Sequence, residues 1–144
     1  MIARAMPLFI ETYRGTVRPE DCDDLGHMNV QHYFAAVSNG MFAMMSRLGL
    51  TTEEIQRRQM SFAVVHAETD FHRELRSGDI MVLESTVLKL GTRSATFQHR
   101  LTNLSGGNVA MTTDFRCVLL DLRKREAISI PDDVRAAAAE LAAA

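Results

Sequence analysis

Tryptophan is absent from this sequence, and cysteine and proline are scarce: two cysteines and three prolines among 144 residues. Cys22 and Cys117 are too few for a disulfide framework, and one distant pair offers no Cys-x-x-Cys zinc pattern. The scarcity fits a reducing compartment, so the cytoplasm is the expected location. No apolar run approaches the length of a membrane span. The opening stretch, MIARAMPLFIETYRG, is too interrupted for a secretory signal, with Glu11 breaking it. An excess of either charge is missing too. Sixteen basic residues against 18 acidic leave a net charge of −2, which gives no bulk attraction to nucleic acid or to a membrane surface. Repeats and a Gly-rich phosphate loop are also lacking. The length predicts one domain over 1–144, large enough to bury a core without metals or disulfides.

What is present is periodic. Residues 11–18 read as a short strand closed by Pro19. Over 30–48, Phe34, Val37, Met41, Met44 and Leu48 recur at spacings of three or four, which predicts one buried helix face. Asn29 suits the N-cap and Gly49 the C-terminal stop. After the helix the chain reads as four consecutive strands, at 61–71, 79–90, 92–103 and 109–121. Turns at 75–79, 90–92 and 103–108 separate them. A last helix starts near Pro131, with Asp132 and Asp133 in its first turn and alanines beyond. One long helix and one antiparallel sheet predict a two-layer α+β domain. A single helix is too narrow to cover such a sheet, so the chain is expected to associate with copies of itself.

Residues 21–34, DCDDLGHMNVQHYF, place three aspartates within four positions directly ahead of that helix. Carboxylates are favourable at a helix N-terminus, and a solvated acidic cap is one reading; Asp21 and Asp24 need no more. A calcium loop of the EF-hand type fails, because Leu25 and His32 stand where oxygen ligands are required. His27, His32 and an aspartate are zinc ligands by type, at a spacing that matches no strong pattern. Cys22 lacks the electropositive setting of a nucleophile, since aspartates flank it. No metal or cofactor is expected.

The same stretch resembles the signature of the hotdog-fold acyl-CoA thioesterases of the 4-hydroxybenzoyl-CoA thioesterase-like group. That signature runs Asp-x-Asp-x-x-Gly-His-hydrophobic-Asn, with a Tyr four residues on. Asp21, Asp23, Gly26, His27, Met28, Asn29 and Tyr33 match it, while Val30 departs from the commoner second Asn. FHRELRSGD at 71–79 and LGTRSATFQHRL at 90–101 resemble further stretches of the family. The resemblance spans about residues 11–121. It implies a hotdog fold, a long central helix wrapped by a curved five-stranded antiparallel sheet. It also implies hydrolysis of an acyl-CoA thioester by an obligate homodimer with two sites at its interface, extending to a tetramer.

Residue by residue, the resemblance puts the chemistry on Asp23, as nucleophile or as general base toward water. It puts the amide that polarises the carbonyl on Val30, at the start of the helix. Gly26 would let the loop pass close to the thioester. His27 would orient Asp23 or a water, or else be a satisfied loop histidine. Asn29 is an N-cap or a substrate contact, and Tyr33 packs or lines the acyl pocket. His66 and Glu68 share one strand face, in the cleft or as a cross-strand polar pair at the dimer interface. Arg93 aligns with a basic position used for CoA, with Arg73, Arg76 and Arg100 as further candidates. Two other functions share the fold: an enoyl-CoA hydratase or dehydratase, and a non-catalytic acyl-CoA-binding module. The motif argues against the first. An intact Asp23 argues against the second, because an unused carboxylate facing an acyl group weakens binding.

Overall fold

A computed structural model describes residues 6–142. The first residues of the stretch read for a signal, and the last two alanines of the C-terminal helix reading, lie outside the described residues. Alternation builds the sheet. β1 (Ile10–Thr16), β2 (Met60–Phe71), β3 (Ile80–Leu90), β4 (Ser94–Asn103) and β5 (Asn108–Asp121) pair antiparallel in the order β1-β3-β4-β5-β2. In β4 the buried Ala95, Phe97, His99 and Leu101 alternate with half-buried Thr96, Gln98, Arg100 and Thr102. That is the period of a strand with one covered face. A two-residue strand, β6 (Glu126–Ala127), pairs with β5, so the sheet has one short strand more than the five expected. Register shifts interrupt each of the four long pairings. Such bulges bend and twist a sheet, and this one curls into a half-barrel.

The long helix α1 (Val30–Arg47) packs against the inner face. Its buried residues are Tyr33, Ala36, Val37, Gly40, Met41, Met44 and Met45, one continuous face at helical spacing. Phe34 is only half-buried, where it meets Phe71 with ring centroids 6.4 Å apart. Gly40 sets how closely the helix approaches. A Cβ there would collide with the Leu83 side chain and stand 3.0 Å from Thr12 Oγ1. α1 therefore leans on β1 and β3. The β2 side of the sheet is left open, and Val64, Val65 and Phe71 are about half exposed.

Between α1 and β2 the sequence reading expected no further helix. The structure places α2 (Thr52–Arg58) there. Thr51 Oγ1 caps it by accepting from Glu54 N–H at 3.2 Å, and Arg58 pairs with Asp133 at 2.6 Å. That ion pair ties α2 to α3 (Asp132–Leu141), the helix expected at the C-terminal end. β1 pairs with β3 only from Ile80 to Ser85. α3 packs beside the rest of β3, where Thr86 Oγ1 donates to Leu141 O at 3.1 Å.

A row of polar side chains also runs along the inner face, with Ser85, His99 and Thr113 buried. Thr12, Ser85 and His99 are linked in series, with Oγ1–Oγ at 2.7 Å and Oγ–Nδ1 at 2.6 Å. Thr113 stands opposite both His99 and Thr69, and its hydroxyl meets that of Thr69 at 2.7 Å.

Candidate active site

Residues 22–28 fold as a miniature hairpin. Cys22 and Met28 form an isolated antiparallel bridge, Asp23 N–H donates to His27 O at 3.2 Å, and Gly26 N–H donates to Asp23 O at 3.0 Å. A three-residue loop of this kind takes a left-handed residue at its last position, and Gly26 has φ +82°. No atom comes within 4 Å of where a Cβ of Gly26 would stand, so within this chain the backbone conformation is what asks for glycine. Asp21 anchors the base of the hairpin. Its carbonyl accepts Asn29 N–H at 2.9 Å, its Oδ2 accepts Arg18 N–H at 3.0 Å, and the His32 ring lies 3.7 Å from its Oδ1. Asp24 is exposed at the tip and has no hydrogen-bond partner among the described residues.

Asp23 is held at both oxygens. Oδ2 accepts from Asn29 Nδ2 at 2.8 Å and Oδ1 accepts from Leu25 N–H at 2.9 Å. The Asn29 amide first, and then the Leu25 N–H, hold its carboxyl below the usual carboxylate range, with His27 adding a smaller pull in the same direction. Hydrogen bonds to the anion favour the anion, so Asp23 stays ionised.

The first turn of α1 is capped from one residue. Asn29 Oδ1 accepts Gln31 N–H at 3.1 Å, and Asn29 O accepts His32 N–H at 3.0 Å. Val30 N–H has no hydrogen-bond partner among the described residues. It is an unsatisfied donor at the positive end of an 18-residue helix. Beside it opens a cavity of about 310 Å³ lined by His27, Met28, Val30, Tyr33, Phe71, His72, Arg73 and Glu74. Asp23 is not itself in that wall, but its neighbours in the hairpin are. His27 Nδ1 lies 3.2 Å from Met28 O. Tyr33 is buried, its ring edge-on to Phe71 at 5.2 Å, and burial pushes its phenol up while the Leu75 backbone partly opposes the shift.

The family model of the thioesterase-like superfamily matches residues 17–138. The chain belongs to the thioesterase-like superfamily. Solved structures of similar shape agree on the hotdog fold. A hypothetical protein from Staphylococcus aureus in complex with CoA superimposes with a TM-score of 0.84 at 17% identity, over 98% of this chain and 87% of that one. A 1,4-dihydroxy-2-naphthoyl-CoA thioesterase from Synechocystis gives 0.78 at 16% identity, over 92% and 97%. A gentisyl-coenzyme A thioesterase gives 0.76 at 22% identity, over 87% and 97%. No curated protein matches the sequence.

In this chain the remaining candidates lie apart from the hairpin. His66 and Glu68 stand opposite Arg116 and Asp114 on the outer face of β2 and β5, where they line a separate groove with Lys89 and Thr96. Arg93 sits in the turn before β4. The hairpin lies near the other end of that strand, because Met28 N–H donates to Leu75 O and Leu104 N–H to Ile80 O. Ten strand residues separate those ends, a length of about 30 Å at roughly 3.3 Å per residue. Within one chain, Arg93, His66 and Glu68 are not brought to Asp23. Arg73 is in the cavity wall. Phe71, His72 and Glu74 were not singled out from the sequence as site residues; their signals are position, at the end of a strand expected to finish at Phe71, and membership of the stretch FHRELRSGD. Among the described residues no cluster of His, Cys, Asp and Glu is arranged to hold a metal, and no helix is long and apolar enough to cross a membrane.

Proposed function

We propose that the protein hydrolyses an acyl-CoA thioester with Asp23 as the acting carboxylate and Val30 N–H as the donor to the carbonyl oxygen. One observation carries this reading. A carboxylate held ionised by Asn29 and Leu25 stands in the loop that enters a helix whose first amide has no partner. A thioester has a good leaving group, because CoA departs as a thiolate that needs little protonation near neutral pH. What the reaction needs is a nucleophile and a place for charge on the carbonyl oxygen. Ionised Asp23 attacks the carbonyl carbon to give an anhydride that water then cleaves, or it takes a proton from the attacking water. In either route the tetrahedral oxygen gains negative charge, which an amide at a helix N-terminus stabilises. The half-exposed Val30 side chain takes no part, which accounts for its departure from the family's Asn.

The acyl group lies along Met28, Tyr33 and Phe71, with His27 at the carbonyl end and Arg73 toward CoA. The free edge of β2, with exposed Val64 and Val65, supports a homodimer, and pairing of dimers gives the tetramer; the scarcity of cysteine fits action in the cytoplasm. Light scattering reads the assembly; a monomer at micromolar concentration contradicts it. The function is tested with a panel of acyl-CoA esters assayed for free thiol, led by aromatic acids because two structural relatives are named for aromatic acyl groups. Saturable thiol release from at least one ester is expected. Binding with no thiol release across the panel would overturn the reading. Loss of enoyl absorbance without thiol would place the protein among the hydratases.

A further inference from the structure

Asn29 does two jobs with the two ends of one side chain. Its Oδ1 caps Gln31 N–H at 3.1 Å, and its Nδ2 donates to Asp23 Oδ2 at 2.8 Å. Its own N–H is fixed to Asp21 O at 2.9 Å, so the residue is held from behind as well. A planar amide has a set distance between its oxygen and its nitrogen. Fastening one end to the helix start and the other to the carboxylate sets where the carboxylate stands relative to the Val30 amide. We infer that Asn29 is a positioning residue for the reaction, a clamp that registers Asp23 against the helix N-terminus, and not a substrate contact. This rests on the reading of Asp23 as the acting carboxylate.

The clamp has a chemical consequence that a plain N-cap lacks. The donor that locates Asp23 also stabilises its ionised form. Position and charge state therefore change together when the donor is removed, while the cap is separable from both. Serine and aspartate cap helices as well as asparagine does. Asn29→Ser keeps the cap and removes the Nδ2 donor, leaving a hydroxyl on a shorter side chain. Asn29→Asp keeps the cap and sets a second carboxylate beside Asp23, which raises the apparent pKa of the pair.

Two measurements test this on the full-length protein. With the best ester of the panel, Asn29→Ser is expected to lower kcat about tenfold or more, with KM nearly unchanged, as misplacement of a reacting group does. Its acid limb moves upward, and that of Asn29→Asp moves further in the same direction. Carbon NMR titration of the Asp23 carboxyl reads the same order without any turnover: wild type lowest, then Asn29→Ser, then Asn29→Asp. The inference is overturned if Asn29→Ser, with its helix content intact, keeps wild-type kcat and an unshifted Asp23 titration, for then Asn29 only caps the helix. A rise in KM with kcat unchanged would also overturn it, by making Asn29 a substrate contact. If no ester is turned over yet the titration follows the expected order, the clamp stands and the proposed reaction fails. The two failures are therefore distinguishable.

Discussion

The protein holds two polar clusters that answer the same problem in opposite ways. The hairpin at 22–28 satisfies the Asp23 carboxylate from within six residues, near the surface. The row Thr12–Ser85–His99–Thr113–Thr69 takes one residue from each of the five long strands along the inner face, with Ser85, His99 and Thr113 buried and the two ends half-buried. Both clusters lower a pKa, with opposite effects on charge. Donors to Asp23 favour its anion, so the surface group is kept charged. Burial disfavours the cation of His99 and lowers its pKa to about 4, so the interior group is kept neutral. His99 Nε2 has no partner among the described residues, whereas both Asp23 oxygens do. The charged group is thus supported at both oxygens, and the neutral one is left with a ring nitrogen that no described residue meets.

The comparison breaks most sharply at Asp23. Asp23→Asn removes charge and basicity at nearly constant volume and is expected to lower kcat by at least about two orders of magnitude. Stability should barely move, because the Asp23 side chain is outside the core, to which the hairpin contributes Met28. Measured thiol release together with a denaturation midpoint decides it. Near-wild-type turnover with an intact fold would dismiss Asp23 as the acting carboxylate.

His99 should behave in the reverse manner. Its folded pKa, about 4, lies below its ordinary value of 6.5. The unfolded chain therefore binds a proton that the folded chain refuses. The stability contribution is complete above the unfolded value and is lost as the pH falls from there toward 4. At about pH 5 the loss amounts to about 2 kcal/mol relative to about pH 7.5. In His99→Gln that share of the pH dependence should vanish, read as the difference between urea midpoints at the two pH values, while kcat stays near wild type. An unchanged pH dependence in the variant would place the titrating group elsewhere.

The two clusters were unequally legible for the same reason that they differ physically. The hairpin is continuous in sequence, so its Asp, Gly and Asn stand at fixed spacings, and the N-cap Asn29 was readable from the helix that follows it. Its link to Asp23 was not, because a side-chain bond across six residues leaves no periodic trace. His99 looked like any strand residue. Only strand register, which brings it opposite Ser85 and Thr113, makes it part of a row. The α1 face and the five long strands followed from apolar periodicity. α2 escaped because it buries none of its seven residues, so no apolar spacing marks it. The pattern Thr51-x-x-Glu54 was its one local signature. The cavity wall at Phe71 to Glu74 depends on how the end of β2 meets α1, a contact between segments that no single stretch encodes.

The smallest expected effect sharpens the comparison within the hairpin itself. Asp24 is next to Asp23 and carries the same charge, yet it is exposed at the tip and has no hydrogen-bond partner among the described residues. Asn29, and not Asp24, caps α1. Asn suits a turn as well as Asp does, so Asp24→Asn keeps the hairpin. The lost charge is solvated and screened within about 8 Å at physiological salt. Turnover and stability should each change by less than about twofold, the range of ordinary surface substitutions. Thiol release at low and at moderate salt checks this, because a field effect of Asp24 on a negatively charged CoA ester would appear in KM and fade as salt rises. If instead kcat falls as far as in Asp23→Asn, the acidity of the whole loop drives the reaction, and the distinction between a held carboxylate and a free one does not hold.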